Sequence, residues 1–342
     1  MILHSQKSPE ELAFDRALRP VCLVDFTGQG QVVSDLRIAI DAARERAEPL
    51  DHVLLCGPPG LGKTTLAYLI ADGMGTQITV TSGPVLQSPK DLMGTLTRLG
   101  RGAVLFVDEI HRLPAPVEEY LYAAMEDHAV DLVLDQGPAG RTVRITVAPF
   151  TLVGATTREG LLSSAFRARF GLIERLEPYP AQDIQEILDR AAERLRLTLN
   201  DDAAALLAAR SRGVPRLGLR ILRRVRDLAQ VEGDGQITYE LAKAGLSRLG
   251  IDRLGLEEMD RKILRALTGR GEAVGLKTLA AIVDESEETL EDVFEPHLIR
   301  CGLLSRTPRG RVATKEAYVH LGVDPGPGLG GPAPDELPFE GS

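Results

Sequence analysis

The sequence predicts an α/β protein. A parallel sheet flanked by helices is followed by a small all-helical unit and a C-terminal unit of helices with a basic hairpin. Three observations support this. The apolar run Val53-Leu54-Leu55-Cys56 feeds the turn Gly57-Pro58-Pro59-Gly60-Leu61-Gly62-Lys63-Thr64-Thr65 and then the helical stretch Leu66–Ala71. Ala103–Val107 is unbroken apolar sequence ending in Asp108-Glu109, the pattern of a strand covered on both faces of a parallel sheet. After Pro178-Tyr179-Pro180 the spacing is helical only, to about residue 250.

In chain order, Pro9–Ala17 reads as a short helix that breaks before Pro20. Val32–Glu48 places Val32, Leu36, Ile40 and Ala43 on one helical face. The glycine turn and its helix follow, then a strand over Gln77–Thr81 and a short helix over Lys90–Leu96. The strand Ala103–Val107 leads to a helix over Ala115–Glu126. Alternating runs at Val130–Leu134 and Thr142–Val147 flank Gln136–Gly140 and predict a hairpin. Phe150–Ala155 is another buried strand, ending in Thr156-Thr157-Arg158. Helices are expected over Asp183–Leu195, Asp201–Ala209, Leu217–Val231 and Tyr239–Leu249. The expected domains are 1–179 (α/β), 180–252 (helical), 255–323 (C-terminal unit) and a disordered Pro/Gly-rich tail, 324–342.

At 342 residues the chain has length for two or three domains. Its 44% hydrophobic content is enough for a real core, made mostly of aliphatic residues since only 4% are aromatic. A net charge of −9 argues against nonspecific coating of nucleic acid by the whole surface, though not against a local basic patch. Cys22, Cys56 and Cys301 make neither a disulfide framework nor a zinc spacing. With no apolar leader at Met1–Phe14 and no run of about 18 apolar residues, a cytoplasmic protein away from membranes is expected.

The glycine turn fits the phosphate-cradling pattern G-x-x-x-x-G-K-[ST] in its required strand–turn–helix setting. Glycines let backbone N–H groups approach phosphates, and the helix N-terminus favours negative charge. Lys63 is expected to reach the terminal phosphates of a nucleotide, and the Thr64 hydroxyl to ligand Mg²⁺. Asp108, at the C-terminal end of its strand, can hold the same Mg²⁺, and Glu109 is the candidate base that orients water. Thr156 and Thr157 end the next strand, where a hydroxyl could sense the terminal phosphate. Arg216, after Gly213-Val214-Pro215, is placed to enter a cleft between two domains, or is simply one of a basic helix's arginines. Arg167 and Arg169 read as surface arginines, although an arginine supplied in trans can stabilise phosphoryl transfer.

The C-terminal unit shows helices over Glu257–Leu267, Leu276–Val283 and Thr289–Arg300, then a hairpin with a Pro-Arg-Gly turn. That is the layout of a winged helix. Arg300, Arg306, Arg309, Arg311 and Lys315 occur from 300 to 315 without an acid, whereas Glu285, Glu287, Glu288, Glu291 and Asp292 crowd the turn and the start of the third helix. Acid there would repel phosphate, so the wing is the expected nucleic-acid contact, through backbone phosphates and without sequence readout. A protein-binding winged helix with a solvated basic hairpin is the alternative.

Several strings together carry a family resemblance: Leu18-Arg19-Pro20, Phe26-Thr27-Gly28-Gln29, the phosphate loop and Val107-Asp108-Glu109-Ile110-His111-Arg112-Leu113. Further along, Gly154-Ala155-Thr156-Thr157-Arg158, Arg169-Phe170-Gly171, Pro215-Arg216 and Arg306-Thr307-Pro308-Arg309-Gly310-Arg311 extend it. From about Leu18 to Gly322 the chain resembles the RuvB family of Holliday-junction branch-migration motors, which are AAA+ ATPases. The resemblance implies a P-loop AAA+ ATPase domain, a helical lid and a winged-helix head. It implies that Leu18 and Arg19 contact the nucleotide, that Gly60, Lys63, Thr64 and Thr65 hold phosphates, and that Glu126-Asp127-His128 form a nucleotide-contact stretch. It makes Arg169 the arginine finger in preference to Arg167, gives Tyr179 and Arg216 to the nucleotide of their own subunit, and puts Arg306 and Arg311 on DNA. Arg309 lies between them on the same wing. One family DNA-contact position is basic in some members and is Glu287 here.

The mechanism this implies is a homohexamer around duplex DNA at a four-way junction. ATP binds between neighbours, and the lid shifts near Pro178–Pro180. The implied partners are a RuvA-type junction-binding protein, through the 130–147 hairpin, and a RuvC-type resolvase. A clamp loader or replication initiator, a slow nucleotide-switched DNA-binding module, and a protein unfoldase are the other readings of these residues.

Overall fold

The protein is described here by a computed structural model that covers residues 18–133 and 142–324. The expected helix at Pro9–Ala17, the hairpin turn Gln136–Gly140 and the tail beyond Asp324 lie outside the described residues. Contacts divide the chain between Leu241 and Ala242 into two units.

The strands of the first unit are β1 (Val53–Cys56), β2 (Ile78–Ser82), β3 (Val104–Asp108), β4 (Ala129–Val133), β5 (Thr142–Thr146), β6 (Thr151–Thr156) and β7 (Leu172–Arg175). Five of them form one sheet in the order β2-β3-β6-β1-β7, and every pairing in it is parallel. Both faces are covered, which is why β1 and β6 are buried throughout and show no alternation. On one face Leu54, Cys56, Leu105, Val107 and Leu152 join a cluster with Leu92 and Leu96 of the helix Pro89–Leu96, and with Val117 and Leu121 of the helix Ala115–Asp127. Ser88 caps the first of these in a reciprocal capping box with Asp91. On the other face the helix Lys63–Gly73 packs on β3 and β6 and buries Leu66, Leu69 and Ile70. The helix Gly30–Arg46 turns the expected Val32, Leu36, Ile40 and Ala43 inward.

Strand order places the C-terminal ends of β1, β6 and β3 side by side, with Cys56 paired to Thr156 and Val107 to Gly154. Ligands of open α/β sheets bind at this edge. β4 and β5 pair antiparallel as the predicted hairpin. β7 was not expected from the sequence. Leu172-Ile173-Glu174-Arg175 is only partly apolar because β7 is the sheet's edge and its residues are half-buried or exposed.

The helices Ala181–Leu195, Asp201–Ala209 and Pro215–Glu232 pack on one another, beside a short parallel pair, β8 (Thr198–Leu199) and β9 (Gln236–Ile237). Tyr179 ties them to the loop that follows β1. Its backbone N–H donates to the Gly213 carbonyl (2.8 Å) and its hydroxyl donates to the Leu61 carbonyl (2.9 Å).

The second unit contains the helices Glu258–Thr268 and Leu276–Val283, a helix over 287–300, β10 (Leu304–Thr307), β11 (Gly310–Ala313) and the helix Lys315–Leu321. Ile263, Leu267, Leu279, Val283, Phe294, Leu298 and Tyr318 form its core. The antiparallel pair β10–β11 gains a third member where Val274 and Arg311 exchange both backbone hydrogen bonds. Gly310 is required there. At φ 137° it passes so close to Val274 that a Cβ would collide with that residue's carbonyl. The 287–300 helix widens into a π turn at Leu290–Phe294. Pro296 explains this, because it has no N–H to donate one turn back. Among the described residues, no helix is long and apolar enough to cross a membrane.

Candidate active site

The loop from Gly57 to Gly62 turns away from β1 on three glycines with positive φ (136°, 85° and 103° at Gly57, Gly60 and Gly62). Gly60 shows why a side chain is excluded. A Cβ there would stand 2.8 Å from Val214 Cγ1 and 3.2 Å from Arg216 Cβ, so the helix Pro215–Glu232 roofs the loop closely. Lys63 opens the helix Lys63–Gly73, is 8% exposed, and donates from Nζ to the carbonyls of Gly57 (2.6 Å) and Pro58 (2.9 Å). Burial lowers its pKa to about 8. Asp108 opposes that shift and Arg216 adds to it.

One cavity holds most of the expected residues. Leu18, Arg19, Gly60, Lys63, Thr64 and Thr65 line it, as do Asp108, Glu109, Thr156, Tyr179 and Arg216. Asp108 accepts from the Glu109 amide (3.0 Å). Glu109 itself adopts a left-handed backbone (φ 47°), and its carboxylate pairs with Arg112 at 3.0 Å. Thr156 is buried, and its hydroxyl lies 3.0 Å from His111 Nδ1 and accepts from the Arg158 amide (2.9 Å). This hydroxyl therefore joins β6 to the turn after β3. Arg216 is exposed toward the open cavity. Crowding by the surrounding walls lowers its pKa, against the pull of Asp108 and with the push of Arg19. Tyr179 is 6% exposed, and burial raises its phenol pKa.

Two arginines that the sequence did not single out hold the lead-in segment over this cavity. Arg194 donates to the Arg19 carbonyl (2.7 Å) and Arg190 to the Asp25 carbonyl (2.7 Å). Both lie on the helix Ala181–Leu195, whose alternation of apolar and charged residues gave no hint of a partner so distant in sequence. The Arg19 guanidinium stacks on Tyr68, 4.9 Å from the ring centroid.

A second group stands apart. Arg169, Glu126, Asp127 and His128 do not line the cavity. Arg169 pairs with Glu126 (2.7 Å), hydrogen-bonds the Tyr122 hydroxyl and stacks on that ring at 4.6 Å. Arg167 instead faces Glu159 (3.9 Å), which Arg175 also engages. On the second unit, Arg309 is exposed at the tip of the wing, and Arg306 and Arg311 face each other across β10 and β11.

A parallel sheet with a glycine loop and buried lysine at β1, an Asp-Glu pair ending β3, a polar end to β6 and a helical roof carrying an arginine define a nucleotide-binding P-loop ATPase of the AAA+ class. Three family models together cover most of the chain. They are the Holliday junction DNA helicase RuvB P-loop domain over 18–176, the RuvB AAA lid domain over 179–252 and the RuvB C-terminal winged helix domain over 253–322. The chain belongs to the RuvB family. It is 52% identical over 326 residues to the Holliday junction branch migration complex subunit RuvB of Christiangramia forsetii, covering 95% of each chain. The RuvB of Myxococcus xanthus is also 52% identical, over 321 residues, with 93% of this chain and 94% of that one covered. The solved RuvB Holliday junction branch migration motor of Thermotoga maritima aligns with a TM-score of 0.83 at 48% identity, covering 90% of this chain and 99% of that one.

Proposed function

We propose that the chain is an ATP-driven motor that moves duplex DNA through four-way junctions. It acts as a hexameric ring beside a RuvA-type junction-binding partner, and its relatives are subunits of a branch migration complex. The observation that supports the ring most is the separation of Arg169 and Glu126–His128 from the cavity of their own chain. These residues can serve a nucleotide only on a neighbouring copy. A contact of that head-to-tail kind, repeated, generates a ring where its rotation closes.

Within one site, Gly60, Lys63, Thr64 and Thr65 bind the phosphates, and Leu18, Arg19 and Tyr179 flank the rest of the nucleotide. Thr64 and Asp108 line the same cavity, offer hard oxygen ligands and would hold Mg²⁺, which when bound would neutralise charge on the terminal phosphates. Glu109 orients the attacking water, and Thr156 passes the state of the site to His111. Arg216 reads the same phosphates from the lid, and the chain between 179 and 180 is the hinge between an ATPase domain (1–179) and a lid (180–252). The winged-helix head spans 255–323, ahead of the tail 324–342. The β4–β5 hairpin is the docking site for the RuvA-type partner, and a RuvC-type resolvase shares the same junction. The working location is the cytoplasm.

The test is strand exchange on a synthetic four-way junction with ATP, with and without the RuvA-type partner. Movement that depends on ATP is expected. Binding without movement under both conditions would overturn the motor reading.

Lys63 makes nucleotide binding depend on pH. In the nucleotide-free chain it titrates at about 8, while bound phosphate favours the ammonium form. Below that pH it is already protonated, so binding takes up no proton. Above it, each ATP bound draws in up to about one proton, and affinity falls by up to about tenfold per pH unit. Calorimetry in buffers of different ionisation enthalpy measures this uptake. The same shift affects stability. Between about 8 and 10.5 the unfolded chain binds the extra proton, so this contribution improves as pH rises through that window.

A further inference from the structure

Glu295 is a fully buried carboxylate of the winged-helix unit, with its side chain 0% exposed. Both of its oxygens are taken by the wing. Arg306 donates to Oε2 from Nε (2.7 Å), with Nη2 also at 2.7 Å, and Arg311 donates to Oε1 from Nε (2.8 Å). One turn earlier, Glu291 accepts from Arg311 Nη2 (2.8 Å). Arg306 and Arg311 are direct cross-strand partners. Two like charges in that position repel, and a lone buried carboxylate is strongly unfavourable. In this arrangement each problem offsets the other. The π turn at Leu290–Phe294 directly precedes Glu295, whose backbone N–H closes it on the Leu290 carbonyl.

Arg311 is held almost wholly inside, at 15% side-chain exposure, while Arg306 keeps 49% exposed and Arg309 stands clear at the turn. We infer that Glu295 is a positioning residue for DNA engagement. It locks the hairpin against the third helix and aims the outer face of Arg306, with Arg309, at backbone phosphates. This rests on the reading of the wing as the DNA-contacting element. It also assigns the acids of the third helix a use. Glu291 and Glu295 neutralise the inner edge of the wing rather than merely opposing phosphate.

The sign of the effect separates this from plain electrostatics. Removing an acid near a DNA-binding hairpin should strengthen binding if charge alone matters. Positioning requires the reverse. Binding of the full chain to a short labelled duplex is measured over a range of salt, for Glu295→Gln, Glu291→Gln, Arg306→Ala and Arg309→Ala, with the melting temperature of each. Glu295→Gln is expected to weaken binding about tenfold, as loss of a well-aimed charge-assisted contact implies, and to reduce the salt slope by about 1. Glu291→Gln, which loosens only Arg311, is expected to weaken it by about two- to threefold, and decides the matter if Glu295→Gln does not fold. Unchanged or tighter binding by the folded Glu295→Gln variant, or by Glu291→Gln in its place, while Arg306→Ala and Arg309→Ala bind weakly, would overturn the positioning role alone. If Arg306→Ala and Arg309→Ala both bind as the unaltered chain does, the wing reading itself fails, and the positioning role with it.

Discussion

Replacing Arg169 with alanine is expected to lower ATP hydrolysis by assembled rings by about 10³-fold or more, the range of an arginine supplied in trans to a transferring phosphoryl group. The affinity of each chain for its own nucleotide should barely change, because Lys63, Thr64 and Arg216 line that cavity and Arg169 does not. The side chain is well prepared for the task. Glu126, the Tyr122 hydroxyl and the Tyr122 ring hold the guanidinium at a fixed place on the surface, so little entropy is lost when a phosphate meets it. Arg169→Lys should recover little, since an ammonium cannot reproduce both the stacking and the fork of donors. Steady-state hydrolysis beside equilibrium nucleotide binding measures both halves of the prediction. Hydrolysis by Arg169→Ala rings at the normal rate would remove the finger assignment.

Glu109→Gln should lower hydrolysis by about 10²–10⁴-fold, as expected for loss of a general base, and should leave ATP and DNA binding in place. Glutamine keeps the shape and one acceptor but cannot take a proton. In the present conformation one oxygen of the Glu109 carboxylate is paired with Arg112 at 3.0 Å. A stalled ring that still holds ATP and duplex is the expected phenotype of a motor. A nucleotide-switched binding module would keep its output under the same substitution, and single-turnover hydrolysis beside junction movement distinguishes the two.

The phosphate loop and the Asp108-Glu109 pair were legible in the sequence because their chemistry depends on neighbours in the chain. A glycine turn, a lysine and a threonine at fixed spacing report a local backbone shape. The wing was legible for the same reason, through its turn and its run of arginines. What could not be read were contacts that join distant segments. Gly60 shows its need to be glycine only when Val214 and Arg216 are seen above it. Nothing in Arg190 or Arg194 announces that each holds a backbone carbonyl about 165 to 175 positions away. β7 escaped notice because an edge strand needs no continuous apolar run, and Glu174 and Arg175 break its pattern.

The acids of the third head helix have a second effect that the sequence does not show. In the sequence they form a block separate from the basic wing, and their evident effect is repulsion of phosphate. In the fold, Glu291 and Glu295 lie against the hairpin, and two of the wing's arginines are bonded to them. Charge counted along the chain hides this, because the pairs span 11 to 20 positions. Arg306 and Arg311 were both expected to meet DNA, and their exposures differ more than threefold.

The central claim is that each nucleotide site is built from two chains. It is tested most directly by mixing two inactive proteins in equal amounts, one carrying Glu109→Gln and the other Arg169→Ala, and measuring ATP hydrolysis by the rings they form. A site on an Arg169→Ala chain keeps its own Glu109, and a Glu109→Gln neighbour supplies an intact Arg169. Random mixing therefore predicts recovery to about a quarter of the unaltered rate, since half the sites are of the first kind and half their neighbours of the second. Activity no higher than that of either protein alone, in mixed rings shown to contain both, would contradict the shared site.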